Sequence, residues 1–139
     1  MDAAHHRMFA VLNAAVMPWW LAMIVAPRSR TTARLVARMP VALGALGVTY
    51  GGLIARGLGT GGIDFSDAEA VRALLQAPDG FLAGWTHYLA FDLFVGRWIW
   101  RTALDEGRGC RVALTLTLMF GPLGLTWFAA QRRVRPAPG

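Results

Sequence analysis

Apolar residues fall along this chain in four long blocks, over about residues 8–25, 35–54, 81–100 and 112–130, and no block alternates with a period of two. A bilayer core about 30 Å thick takes roughly 20 residues of helix. Without strand-like alternation of useful length a helical bundle is favoured over a barrel. The pattern predicts an all-α, integral membrane four-helix bundle, one four-span domain over residues 1–139. Pro27 ends the first helix, and Arg28, Arg30 and Arg34 follow at headgroup level. Between the second and third helices, Ser66-Asp67-Ala68-Glu69 precedes AVRALLQA, a capping-box pattern that predicts a short surface helix. The GLGTGG run in the same loop lacks the Lys-Ser/Thr of a phosphate loop and follows no strand, so it is read as a linker. The tail QRRVRPAPG is basic and expected to be disordered at its end.

Composition agrees with the blocks. Of 139 residues, 55% are hydrophobic and 16% charged, with a mean hydropathy of +0.42, too apolar for an ordinary soluble domain. The net charge of +6 comes from 14 arginines and no lysine. These are scattered over every hydrophilic segment, which excludes a nucleic-acid footprint and fits anchors to lipid headgroups. Four spans place both termini on one side. Arg28, Arg30, Arg34, Arg38, Arg101, Arg108 and Arg111 then oppose Arg7, Arg56, Arg72, Arg132, Arg133 and Arg135, seven against six, which orients nothing. The first block is long and lacks a small-residue cleavage site, so it reads as a span rather than a signal peptide. With only seven residues before it and no plastid transit segment, the expected location is a bacterial inner membrane. The lone Cys110 excludes an internal disulfide and a cysteine-based zinc site, and its loop position suggests a labelling handle.

The third block, FLAGWTHYLAFDLFVGRWIW, carries His87, Asp92 and Arg97. A charge near the bilayer centre costs at least about 2.5–3.5 kcal/mol, so such groups face protein, find partners and mark sites. Counting depth at 1.5 Å per residue puts Asn13, His87, Tyr50 and Thr126 in one polar layer, ~6–9 Å from the face that holds both termini. Asp92 lies deeper, ~16 Å in, level with Gly121-Pro122. Tyr88 and Asp92 are an i,i+4 pair, whereas His87 stands ~140° from Asp92 and joins them only if the third helix is central. Arg97 snorkels to the opposite interface. The candidate site is therefore His87, Asp92 and Tyr88 as catalytic groups, with Asn13, Tyr50, Trp85, Trp98 and Thr126 around a flat apolar ligand. Each also has a structural reading: hydrogen-bonded packing for Asn13, His87 and Asp92, and an interfacial belt for the six tryptophans. His5, His6, His87 and Asp92 have the wrong spacing for a metal, and no metal, haem or other cofactor is expected.

The run Gly84 to Arg101, GWTHYLAFDLFVGRWIWR, with Leu118 to Leu125, LMFGPLGL, and Phe9, Asn13, Trp20, Pro27 and Thr32, resembles the neoxanthin-synthase-like family of abscisic-acid-deficient type. The family comprises a plant plastid membrane protein and its bacterial relatives. The resemblance covers Phe9 to Phe128 and implies four spans and a carotenoid-like, lipophilic partner. It also implies isomerisation of an epoxide to an allene by an acid and a base, without a redox cofactor. Asp92 as the neutral acid, His87 as the base and Tyr88 or Asn13 orienting the oxygen would suit that chemistry. The rival readings are a non-catalytic carotenoid-binding or complex-assembly protein, and a small proton-coupled transporter working as a homo-oligomer.

Overall fold

The computed structural model describes residues 1–58 and 64–134; most of the glycine-rich run and the end of the basic tail lie outside the described residues. Every regular element among the described residues is helical. In chain order these are α1 (Ala3–Val25), α2 (Arg30–Ala37), α3 (Met39–Leu58), α4 (Ala68–Gln76), α5 (Pro78–Asp105), α6 (Arg111–Phe120) and α7 (Pro122–Val134). The 28-residue α5 is the spine, with α1, α3, α4 and α6 packed on it. Its buried Leu82, Ala83, Thr86, Leu89, Leu93, Gly96, Ile99 and Ala103 face those neighbours.

The segment expected as a basic turn is itself a short helix, opened by Ser29, whose side chain accepts from the Thr31 amide at 3.1 Å, and side chains around it cap α1. Thr32 is buried and donates its hydroxyl to the Ala26 carbonyl at 2.7 Å, and Arg111 donates to Val25 at 3.0 Å, satisfying the carbonyls a helix end leaves open. The indoles of Trp19 and Trp100 donate to Leu35 and Pro27 at 3.0 and 2.9 Å. The surface helix forms where its capping pattern predicts, but its cap is Asp67, which accepts from the Glu69 amide. Ser66 is taken up by the Asp64 carboxylate at 2.6 Å.

Where α1 crosses α5, the ring of Trp20 lies against Gly96. A Cβ there would sit 2.6 Å from the indole, and Trp20 is fully buried. Gly96→Ala is therefore expected to destabilise the fold by about 1–3 kcal/mol, the ordinary range for overpacking. A thermal-melt comparison with wild type checks this.

The largest departure from the sequence reading is the fourth block. It is two helices folded back on each other: α6, of 10 residues, reaches about 15 Å, and α7, of 13, returns about 20 Å. Neither alone spans a 30 Å core. Gly121 makes the reversal with φ +49°, a left-handed conformation that glycine adopts without a Cβ clash, and Pro122 starts α7 with its missing N–H at a position that needs none. Gly124 lets the helices touch, since a Cβ there would collide with Thr117 and the Ala113 carbonyl. Three long helices and a half-length hairpin thus stand in place of four equal staves.

The hairpin also moves the C-terminal end. Glu106, beside the start of α6, pairs with Arg108 at 2.6 Å and with Arg132 of α7 at 2.7 Å. At the far end of the molecule Asp79 pairs with His5 at 3.2 Å and Arg56 at 3.3 Å, joining α1, α3 and α5. The start of α1 and the end of α7 therefore lie at opposite ends, not on one side. The hydrogen bond from Arg132, and then that from Arg108, outweighs burial and holds the Glu106 carboxyl below its usual range. A carboxylate so depressed stabilises the folded state above its unfolded value, about 4.3, and loses that contribution as pH falls through the folded value. The expected result is loosening of the α7 end in acid, seen as a change in Trp98 fluorescence that Glu106→Gln removes. Trp98 reports it because the Arg132 guanidinium lies 5.9 Å above its ring.

Candidate functional site

Asp92 stands near the middle of α5, and the hairpin tip ends against it. The position a Gly121 Cβ would occupy is 3.1 Å from one Asp92 carboxylate oxygen, 3.3 Å from the other and 3.5 Å from the Tyr88 ring. Asp92, Tyr88 and Gly121 therefore meet near the middle of α5, although the depth count that set Asp92 level with Gly121 assumed a straight fourth span. The Asp92 Oδ2 atom is buried and has no hydrogen-bond partner within the protein. A buried carboxylate oxygen left unpaired is costly and marks a place where a further group would be received.

From Tyr88 a lane of rings climbs α5 toward its start. Tyr88 stacks on Trp85 at 5.4 Å, Trp85 on Phe81 at 6.2 Å, and Phe9 of α1 closes on both at 5.1 and 6.0 Å. Residues 81, 85, 88 and 92 share one helix face by their spacing of four, three and four. Asn13 accepts from the Trp85 indole at 3.3 Å and donates to the Phe9 carbonyl at 2.7 Å, holding the lane to α1. Phe9, Trp85 and Tyr88 are partly buried in this lane, and Phe81 is exposed at its outer end.

The other expected residues lie elsewhere. His87 is exposed on a different face of α5, stacked on Phe91 at 4.4 Å and beside Tyr50 of α3 at 5.7 Å. Helix α5 is central, yet the ~140° between positions 87 and 92 is filled by separate neighbours, so the two do not meet. Trp98 packs edge-on against buried Phe128 at 5.6 Å, near the base of the hairpin. Thr126 is exposed and donates to its own helix at Pro122. The structure thus unites Asp92, Tyr88, Trp85 and Asn13, and separately His87 and Tyr50. Sequence reasoning left Phe81 out and gave Phe9 no role at the site; their spacing of four from Trp85 and Asn13 was the available signal.

Among the described residues no three His, Cys, Asp or Glu side chains converge to hold a metal ion. His5 instead bridges Asp2 at 2.7 Å and Asp79. Cys110 is buried rather than a handle, and burial pushes its thiol above the usual range.

The features so assembled define a class: an all-helical protein whose central helix presents an acid with one unpartnered oxygen, and a phenol, beneath the tip of a helical hairpin. The chain belongs to the ABA DEFICIENT 4-like family, whose model matches residues 7–128. It is similar to Protein ABA DEFICIENT 4, chloroplastic, of Arabidopsis thaliana, at 25% identity over 126 residues, covering 84% of this chain and 56% of that one. The chain therefore spans little more than half the length of that relative. No solved structure matches.

Proposed function

We propose that the protein sits in a membrane, holds a carotenoid-like polyene along the Phe9–Phe81–Trp85–Tyr88 lane, and isomerises an oxygenated end group at Asp92. The observation that carries this reading is the unpaired Asp92 Oδ2 at the foot of the lane. A row of aromatic rings ending at a polar group suits a long, flat, nearly apolar ligand laid along it. In the proposed step Asp92, as the neutral acid, passes its proton to an epoxide oxygen while the adjacent C–O bond breaks. A proton leaves the neighbouring carbon for the Asp92 carboxylate, which regenerates the acid and forms the new double bond. Tyr88 orients the oxygen, and no electron is gained or lost. His87, on its separate face, takes no part.

Membrane placement is supported by two stretches long and apolar enough to cross. Ala3–Val25 has a mean hydropathy of 1.9 with 22% of its apolar window buried within the chain, and Arg30–Gly57 has 1.2 with 17%. A core helix of a soluble protein would be mostly buried, so outward faces such as Val11, Val41 and Val48 need an apolar solvent. On this reading α1, α3 and α5 cross, and the hairpin enters halfway and returns, its irregular backbone shielded by α5. The arginine balance then changes. Arg28, Arg30, Arg34, Arg38, Arg101, Arg108, Arg111, Arg132 and Arg133 share one end, against Arg7, Arg56 and Arg72 at the other, nine against three among the described residues. That asymmetry favours a reading with the end of α7 in the cytoplasm and the start of α1 outside. A reporter active only in the cytoplasm should work at the C-terminus and fail at the N-terminus; activity at both would restore a fourth crossing.

The test of function is conversion of an epoxy-carotenoid by the purified protein in vesicles, followed by chromatography. Appearance of the allenic isomer supports the proposal. Bound pigment without conversion favours a carotenoid-binding protein.

A further inference from the structure

We infer that Arg97 and Arg101 form a binding site for the phosphate group of a membrane phospholipid, set in the groove between α2 and α5. The inference rests on the membrane placement proposed above and not on the chemistry at Asp92. The two arginines are one turn apart on the same face of α5, and among the described residues neither has an ion-pair partner. Both line a cavity of about 440 Å³ between the helices. The α2 wall of that cavity is Ala33 and Ala37, small side chains that leave the space open, and Trp100, tied to the Pro27 carbonyl, closes its floor. Asp105 stands one turn further at the mouth, so the groove carries a net charge of about +1, matched to the single negative charge of a phosphodiester.

Position selects a lipid over a soluble anion. Arg97 lies eight residues inside the end of α5, about 12 Å below it, where its long side chain reaches up to headgroup level. A second cavity, of about 230 Å³, opens on the other side of the same two arginines and descends to Phe94. Phe94 and Phe91 are more than half exposed and continue the apolar surface downward. A phosphate held above a vertical strip of exposed aromatic rings is the outline of a phospholipid, its headgroup on the guanidinium pair and its acyl chain on the rings. Each guanidinium meets a phosphate with a fork of donors, and two of them double the charge and the contacts of a lone arginine.

The experiment is native mass spectrometry of the protein released from native membranes in mild detergent, with wild type and Arg97→Gln/Arg101→Gln side by side. Wild type should retain one phospholipid per chain, and the double variant should retain it about 30-fold less tightly, the product of two arginine–headgroup contacts. Arg97→Lys/Arg101→Lys should recover part of the binding, the share due to charge without the guanidinium fork. Ala33→Leu/Ala37→Leu, which fills the groove without touching charge, should also displace the lipid and keeps the test valid if the glutamine variant misfolds. Equal lipid retention by wild type and a folded glutamine variant overturns the site. Saturation by millimolar inorganic phosphate, with release of the lipid, would assign the groove to a soluble anion and overturn the lipid. Membrane placement is checked separately by resistance of the protein to carbonate extraction, so its failure is distinguishable from failure of the site.

Discussion

Asp92→Asn should remove conversion of an epoxy-carotenoid while leaving pigment retention within about twofold of wild type. Asparagine keeps the size of the side chain and its seat against Gly121, but it has no carboxyl proton to give and no carboxylate to take one back. Loss of a positioned general acid or base costs about 10²–10⁴-fold in rate, and here one group would serve both steps. Tyr88→Phe should cost less, because it removes an orienting hydroxyl and leaves the ring stacked on Trp85. His87→Gln should leave the rate near wild type, since its ring faces Tyr50 and Phe91. The measurement is single-turnover conversion in vesicles with bound pigment counted for each variant. If His87→Gln is as inactive as Asp92→Asn, the proposal that α5 uses one face for chemistry is wrong.

Gly124→Leu should be the most damaging structural change. At Gly124 the hairpin helices touch so closely that even a methyl group would meet Thr117 and the Ala113 carbonyl, which is backbone and cannot swing aside. Overpacking alone costs about 1–3 kcal/mol, and a leucine exceeds that by forcing α7 off α6. The loss carries to the site, because Asp92 is bounded by the tip that Gly124 helps to close. A lower melting temperature, faster proteolysis at the hairpin and loss of bound pigment are expected together. Gly121→Ala separates the effects: it strains a φ of +49° and presses on the Asp92 carboxylate while leaving the α6–α7 contact in place. It should lower pigment conversion more than melting temperature.

The sequence made the polar residues of α5 conspicuous because apolar surroundings make any charge stand out. It also set Tyr88 and Asp92 on one face, a relation internal to one helix that 100° per residue determines. It did not assign His87 to a face of the bundle, since that depends on which neighbours fill the arc around α5. The hairpin was the hardest feature to see. Gly121-Pro122 reads equally as a kink in a straight span or a reversal, and only the contact of Gly124 with Ala113 and Thr117, eleven and seven residues earlier, distinguishes them. That single turn moved Arg132 and Arg133 to the opposite end and converted an uninformative arginine count into an asymmetric one.

By itself, then, the sequence determined what is local or additive: helical blocks from hydrophobic periodicity, the α4 helix from its capping residues, family membership from a long motif, and an acid in apolar surroundings. Tertiary structure alone decided what depends on contacts between distant residues: the half-length hairpin, the approach of Gly121 to Asp92, the separation of His87, and the groove beside Arg97 and Arg101. The physical reason is range. A helix is specified by interactions over four residues, whereas a reversal or a site is specified by which surfaces can approach closely enough to pack.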